Sequence, residues 1–175
     1  HLGPVAREID THQVLSLAPE FLGMTPQGWM REWPMERGGR VRHEQLRLPP
    51  ELLARTDAIV VSDEEISQAR AAVTSVGRQR ISVVTLGPNG CQITYGGNRA
   101  ELPGYPVKTV DLTGAGDVFA AAFFLRAADQ RISPVSAGRF ANLVAALSLR
   151  GIGPDAIPPM AEIEERYRQW EADSR

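Results

Sequence analysis

The seven residues Asp111-Leu112-Thr113-Gly114-Ala115-Gly116-Asp117 hold two kinds of group that phosphoryl transfer uses. Gly114 and Gly116 leave the backbone accessible and permit dihedrals that other residues avoid. The segment runs straight into the apolar stretch from Val118 to Ala128, which predicts a helix. A helix start presents unpaired N–H groups and the positive end of the dipole, and both favour an anion. Asp117 sits at that end, where its ionised form is favoured. Such an anion hole would stabilise charge on a transferring phosphoryl group while the carboxylate takes the proton of an acceptor hydroxyl. The same residues also suit a plain helix start, with a small-residue loop and an Asp near the cap. Gly-Ala-Gly-Asp by itself leaves both readings open.

Other reactive residue types point to less. His1, His12 and His43 lack ligand-like spacing, so no histidine-built metal site is expected. Cys91 falls in a predicted strand, which implies a buried, inert thiol. As the single cysteine it excludes an intramolecular disulfide and a multi-cysteine metal site, and a reducing, cytoplasmic compartment is the expectation. Arg37, Arg40, Arg42 and Arg47 form a basic stretch that reads as a solvated face able to attract phosphate. Lys108 is the only lysine, so nearly all positive charge is arginine.

The whole chain has 175 residues, 43 % hydrophobic and 23 % charged, which suits one ordinary domain with a sizeable core. Its formal net charge of −2 supplies no basic field to recruit nucleic acid or an anionic membrane, and neither is expected as a partner. No window approaches the roughly 18 apolar residues of a membrane span. The start at His1 carries no signal-peptide pattern and reads like a strand end entering a turn, so sequence preceding it is expected.

The elements that must position these residues alternate. A modest helical pattern covers Ile9 to Ala18, and Phe21 to Met24 reads as a buried strand. Thr25-Pro26 opens a short helical turn over Gln27 to Trp33. Gly38-Gly39 breaks the chain, Val41 to Leu48 is alternating and exposed, and Pro49 to Leu53 opens a short helix. Ala58 to Val61 predicts a strand buried on both faces. Ser62 and Glu65 form a capping box for a helix to about Val76, with Gly77 as its stop. Ile81 to Leu86 predicts a second buried strand, Gly87 to Gly90 a turn, and Cys91–Tyr95 with Arg99–Leu102 a hairpin around Gly96-Gly97-Asn98. Tyr105 to Val110 reads as an irregular edge strand. Ser133-Pro134 caps and opens a helix to about Leu149, and a polar amphipathic helix runs from Met160 to about Ala172. Strands alternating with helices imply a layered α/β fold with a largely parallel sheet.

With these elements in place, the sequence resembles the ribokinase-like, or PfkB, family of carbohydrate kinases. The family's C-terminal signature is similar to Asp-Thr-x-Gly-Ala-Gly-Asp-x-Phe, and this chain has Asp111-Leu112-Thr113-Gly114-Ala115-Gly116-Asp117-Val118-Phe119. Thr85-Leu86-Gly87-Pro88-Asn89-Gly90 is similar to its Thr-x-Gly-x-x-Gly strand and turn, and Phe140-Ala141-Asn142 to a helix whose Asn lies near the adenine. Ser62-Asp63-Glu64-Glu65 stands where the family usually has Asn-x-x-Glu.

The resemblance implies a three-layer ribokinase-like fold with a largely parallel central sheet. Residues 1–175 would be one partial domain, the C-terminal nucleotide-binding and catalytic portion, with the substrate and lid portion before His1. It implies ATP-dependent phosphoryl transfer to a hydroxyl of a sugar or polyol. Asp117 would be the base, and the backbone of Gly114, Ala115 and Gly116 the anion hole. Thr85, Gly87, Gly90 and Asn142 would line the nucleotide site. Glu65 would organise Mg²⁺ through water, since that ion keeps much of its hydration shell. Asp111 would lie near a monovalent-cation site of some relatives. The stretch Gly23 to Trp33 looks like a loop in some members, plant inositol kinase-like sequences among them, where Gln27 and Arg31 would face a polyol or sugar. A surface turn packed by Trp29 and Trp33 explains the same stretch and is preferred. Leu112 and Ser62 depart from the family pattern. They keep open a catalytically impaired nucleotide-binding module, or an assembly fragment whose open sheet edge pairs with another chain, a homo-oligomer included.

Overall fold

The structure is a computed structural model that describes residues 1–33 and 40–173. The break expected at Gly38-Gly39, with Arg37, lies outside the described residues. In chain order the elements are α1 (Thr11–Val14), β1 (Gly23–Met24), a 3-10 turn at Pro26–Met30, β2 (Arg31–Glu32), β3 (Arg42–His43), α2 (Pro50–Arg55), β4 (Ala58–Ser62) and α3 (Ile66–Gln79). There follow β5 (Ile81–Thr85), β6 (Cys91–Tyr95), β7 (Asn98–Leu102), α4 (Ala115–Ala127), α5 (Pro134–Ser148) and α6 (Met160–Asp173). The chain divides into two compact units, one of His1–Leu86 with Gln92–Ala100, the other of Gly87–Cys91 with Glu101–Arg175.

The first unit is built on a sheet of order β1-β4-β5-β6-β7, with Cys91 and Glu101-Leu102 at the strand ends counted in the second unit. β4 pairs in parallel with β1 on one side and with β5 on the other, in register from Ala58↔Ile81 to Ser62↔Thr85. Ala58 to Val61 are all buried, as a continuous apolar run requires of a strand covered on both faces. α3 crosses between β4 and β5 and turns Ala69, Ala72, Val73 and Val76 onto Ile59 and Val61. That 3-, 4- and 7-residue spacing is the apolar stripe of an amphipathic helix.

Four local expectations change. α1 is a single turn, because of the apolar residues from Ile9 to Ala18 only Val14 is buried, while Leu17 is exposed. Gln27–Trp33 is a 3-10 turn ending at Met30, with no side-chain bond from Thr25 capping it. Trp29 is buried and its indole N–H donates to the Ile9 carbonyl at 2.9 Å, whereas Trp33 is half exposed and does not pack the turn. Gly77 does not stop α3. It sits inside the helix, where a Cβ would come within 2.4 Å of Ser82 Oγ, so glycine is there for close helix-to-strand packing.

The second unit is helical. α4 and α5 bury Phe119, Phe123, Phe140, Leu143 and Leu147. Phe119 and Phe123 stack at 6.1 Å, and the Arg126 guanidinium lies 4.1 Å from the Phe140 ring centroid. Ser133 Oγ accepts the Ser136 N–H at 3.1 Å and Pro134 opens α5, as the sequence implies. α6 returns Tyr167 onto Phe140, and its hydroxyl donates to the Ser136 carbonyl. α4 is not covered all round, since Leu125 is 62 % exposed. Tyr105 to Val110 forms no strand. Among the described residues no helix is long and apolar enough to cross a membrane.

Candidate active site

The start of α4 collects the residues singled out first. Gly114 is the N-cap residue at φ +79°, in the left-handed region that other residues enter only with strain. This lets the chain turn from Thr113 directly into Ala115, so the helix begins three residues before the apolar run. Ala115, Gly116 and Asp117 are its first three residues. Within a helix the N–H groups of Gly116 and Asp117 have no carbonyl four residues back. No side chain caps this end, and a Cβ built on Gly114 or Gly116 would meet nothing within 4 Å. Asp117 is exposed in the same first turn. Asp111 closes the approach, its Oδ1 accepting the Thr113 N–H at 2.9 Å. The hydrogen bonds from Thr113, backbone first, hold its carboxyl below the usual carboxylate range. The result is an open, uncapped helix start with accessible backbone donors and a carboxylate at the rim, which fits an anionic phosphate group.

The second unit also carries the Gly87–Gly90 turn and Asn142. The turn is one turn of 3-10 helix, closed by the Gly90 N–H donating to the Gly87 carbonyl at 3.1 Å. Gly87 and Gly90 both have positive φ, at +55° and +92°. Asn142 lies on the buried face of α5, only 6 % exposed, and its Nδ2 donates to the Pro103 carbonyl at 3.0 Å. Cys91, at the exit of the turn, is fully buried, and burial pushes its thiol up to about 12. The thiol is thus the inert one expected from the sequence.

In the first unit the structure brings Gln27 and Glu65 together, although 38 residues separate them. Gln27 Nε2 donates to Glu65 Oε1 at 2.7 Å. Glu65 Oε2 accepts the Ser62 N–H at 2.9 Å, which is one half of the expected capping box. Both carboxylate oxygens are therefore engaged by the protein. Among the described residues no group of three or more His, Cys, Asp or Glu side chains could hold a metal ion. Direct ligation of a metal by Glu65 would break one of these two bonds. Thr85 ends β5, its hydroxyl at 3.4 Å from the Val61 carbonyl and its own carbonyl accepting the Asp63 N–H at 3.0 Å. Arg31 lies in β2 opposite His43, half-buried.

Two features escaped the sequence reading. One is the Gln27–Glu65 bond, which joins distant segments and leaves no local signal. The other is Pro103-Gly104, which packs on the Gly87–Gly90 turn. A Cβ on Gly104 would lie 2.2 Å from the Pro88 carbonyl oxygen, and one on Gly90 2.1 Å from that of Leu102. The Pro-Gly dipeptide is a turn signal that could have flagged it.

Comparison with known proteins matches residues 50–160 to the pfkB family carbohydrate kinase model. An uncharacterized sugar kinase of Pyrococcus horikoshii is 31 % identical over 121 residues, covering 69 % of this chain and 39 % of that protein. An inositol 3-kinase of Oryza sativa is 38 % identical over 88 residues, covering 49 % of this chain and 22 % of that protein. The structure of an Arabidopsis thaliana ribokinase complexed with ribose and ATP superposes with a TM-score of 0.59 at 26 % identity, over 69 % of this chain and 43 % of that one. The chain thus spans well under half the length of these relatives, and the mixed α/β architecture with its mostly parallel sheet is that of the ribokinase fold.

Proposed function

Because the chain belongs to the pfkB family of carbohydrate kinases, we propose that it takes part in ATP-dependent phosphoryl transfer to a hydroxyl of a sugar or polyol. The observation that carries the reading is the uncapped start of α4, with Asp117 exposed beside free backbone donors. Bound ATP supplies the transferable phosphoryl group. The backbone of Gly114, Ala115 and Gly116 forms the anion hole. The Ala115 N–H already donates to the Leu112 carbonyl at 3.4 Å, so the Gly116 and Asp117 N–H groups are the donors left to bind anionic oxygen and neutralise charge as it develops. Asp117 accepts the proton of the acceptor hydroxyl at its carboxylate. Catalysis of this kind is mostly positioning and electrostatics. No base stronger than a carboxylate is then required.

The Gly87–Gly90 turn and Asn142 belong to the nucleotide side of the reading, with Thr85 at the end of its strand. Glu65 organises Mg²⁺ through water. Gln27, bonded to Glu65, is the residue of its loop best placed to sense a polyol near the metal-linked carboxylate, and Arg31 stands in the next strand. Leu112 is 72 % exposed, so its replacement of the family's threonine costs the fold nothing and removes one hydroxyl beside the anion hole. The position of the chain within a longer kinase, with sugar-binding and lid segments supplied from outside residues 1–175, is part of the same proposal. Its rests are the coverage figures and the ribokinase likeness.

The direct test is ADP release against a panel of sugars, polyols and nucleosides, with and without Mg²⁺. Turnover that depends on one hydroxylated substrate and is abolished by Asp117→Asn supports the reading. Turnover unaffected by that substitution overturns it.

A further inference from the structure

We propose that Asn142 is a positioning residue that holds the Gly87–Gly90 turn in place through Pro103, and does not itself contact nucleotide. The inference rests on the nucleotide reading above and changes what this residue does within it.

Three observations carry it. Asn142 is 6 % exposed, so little of its amide is available to a ligand. Its Nδ2 donates to the Pro103 carbonyl at 3.0 Å, so the amide and that carbonyl are already partners. A buried amide that turned away to meet a ligand would leave those partners unsatisfied. The third observation is steric. Leu102–Gly104 and Pro88–Gly90 touch backbone to backbone, with no side chain between them: a Cβ at Gly90 would overlap the Leu102 oxygen, and one at Gly104 the Pro88 oxygen.

These contacts form one chain of command. Pro103 has no N–H, so its carbonyl is the only backbone handle by which a side chain can grip it. Asn142 takes that handle from a helix fixed in the core of the second unit. Gly104, next to Pro103, lies on Pro88, and Leu102, on its other side, lies on Gly90. A shift of Pro103 must therefore move the turn from both ends. Cys91 follows Gly90 directly and is fully buried, which anchors the turn's exit. The grip is made through packed backbone and uses no N–H group of the turn.

The test uses the chain free and with ADP as the probe. Hydrogen–deuterium exchange over residues 87–91 is measured without ligand, and ADP affinity by calorimetry. Asn142→Ala is expected to speed exchange of the turn by about three- to tenfold, the effect of losing one net hydrogen bond, and to weaken ADP by a similar factor. Gly104→Ala leaves Asn142 in place and displaces Pro88, so it is expected to produce the same pair of changes; it also stands in should Asn142→Ala not fold. Unchanged exchange in both variants, or ADP weakened by Asn142→Ala while Gly104→Ala binds normally, overturns the inference in favour of a direct contact. Failure of the unsubstituted chain to bind ADP overturns the nucleotide reading itself and this inference with it. ADP binding by the unsubstituted chain with unaltered exchange in the variants overturns this inference alone.

Discussion

Glu65 and Asp117 are both carboxylates at the start of a helix, one in each unit, and their surroundings are opposite. Glu65 has each oxygen on a protein donor, Gln27 Nε2 at 2.7 Å and the Ser62 N–H at 2.9 Å. Asp117 is exposed beside the uncapped first turn of α4, and a Cβ at Gly114 or Gly116 would meet open space. Polar groups that satisfy one another hold the chain in shape. Polar groups left open at a helix start are available to something that arrives. In the proposed reaction Glu65 arranges and Asp117 reacts.

The contrast is broken or sharpened by substitution. The largest effect belongs to Asp117→Asn, which keeps the shape and removes the proton acceptor. Turnover measured by ADP release should fall about 10²- to 10⁴-fold with nucleotide affinity retained. Glu65→Gln can still accept the Ser62 N–H, so its loss should stay below about tenfold; equal losses would erase the distinction. Next comes Gly114→Ala, which forces a Cβ into φ +79°. Chemical denaturation should show a loss of about 1–2 kcal/mol. Gly116→Ala meets only open space and should change stability by no more than about 0.5 kcal/mol.

A third prediction concerns the closed part of the second unit. Burial pushes the Cys91 thiol up to about 12, above its ordinary value, so the fold favours the neutral form. The stability this gives is whole below the ordinary thiol range and is lost as pH rises from there toward 12. The denaturation midpoint should fall over that window, less so in Cys91→Ala, and a disulfide reagent should label native protein slowly and denatured protein fast. The smallest effect is expected for Gln27→Ala, whose exposed bond to Glu65 is worth no more than about 1 kcal/mol. A small drop in melting temperature, without change in far-UV circular dichroism, would fit it.

The β4–α3–β5 unit was readable because Ala58–Val61 and Ile81–Thr85 are continuous apolar runs and the helix between them repeats its small and branched residues on one face. The hairpin at Gly96-Gly97-Asn98 and the Ser133-Pro134 helix start carried their own local codes. What was lost depended on partners far along the chain. Gly77 carries the signature of a helix stop but answers to Ser82 across the layer. Asn142 is singled out by the family resemblance, and its bond to the Pro103 carbonyl is set by packing that the local sequence does not encode. The α4 start was legible to within three residues, because Gly-Ala-Gly can serve equally as loop or first turn. The left-handed Gly114 decides between them.

The sheet register also sets an order of assembly. β4 and β5 pair across one helix, while β1 reaches β4 only after α2 and the intervening turns have been laid down, and it contributes two residues. Closing the shorter loop costs less chain entropy, so β4–α3–β5 is expected to form first, with β1 docking onto it. The Gln27 turn follows β1 directly in the chain and is tied to the N-terminal segment by the Gly28 N–H donating to the Pro4 carbonyl at 2.9 Å, with Trp29 and Met30 buried, so the loop proposed to sense substrate takes shape only once β1 has docked.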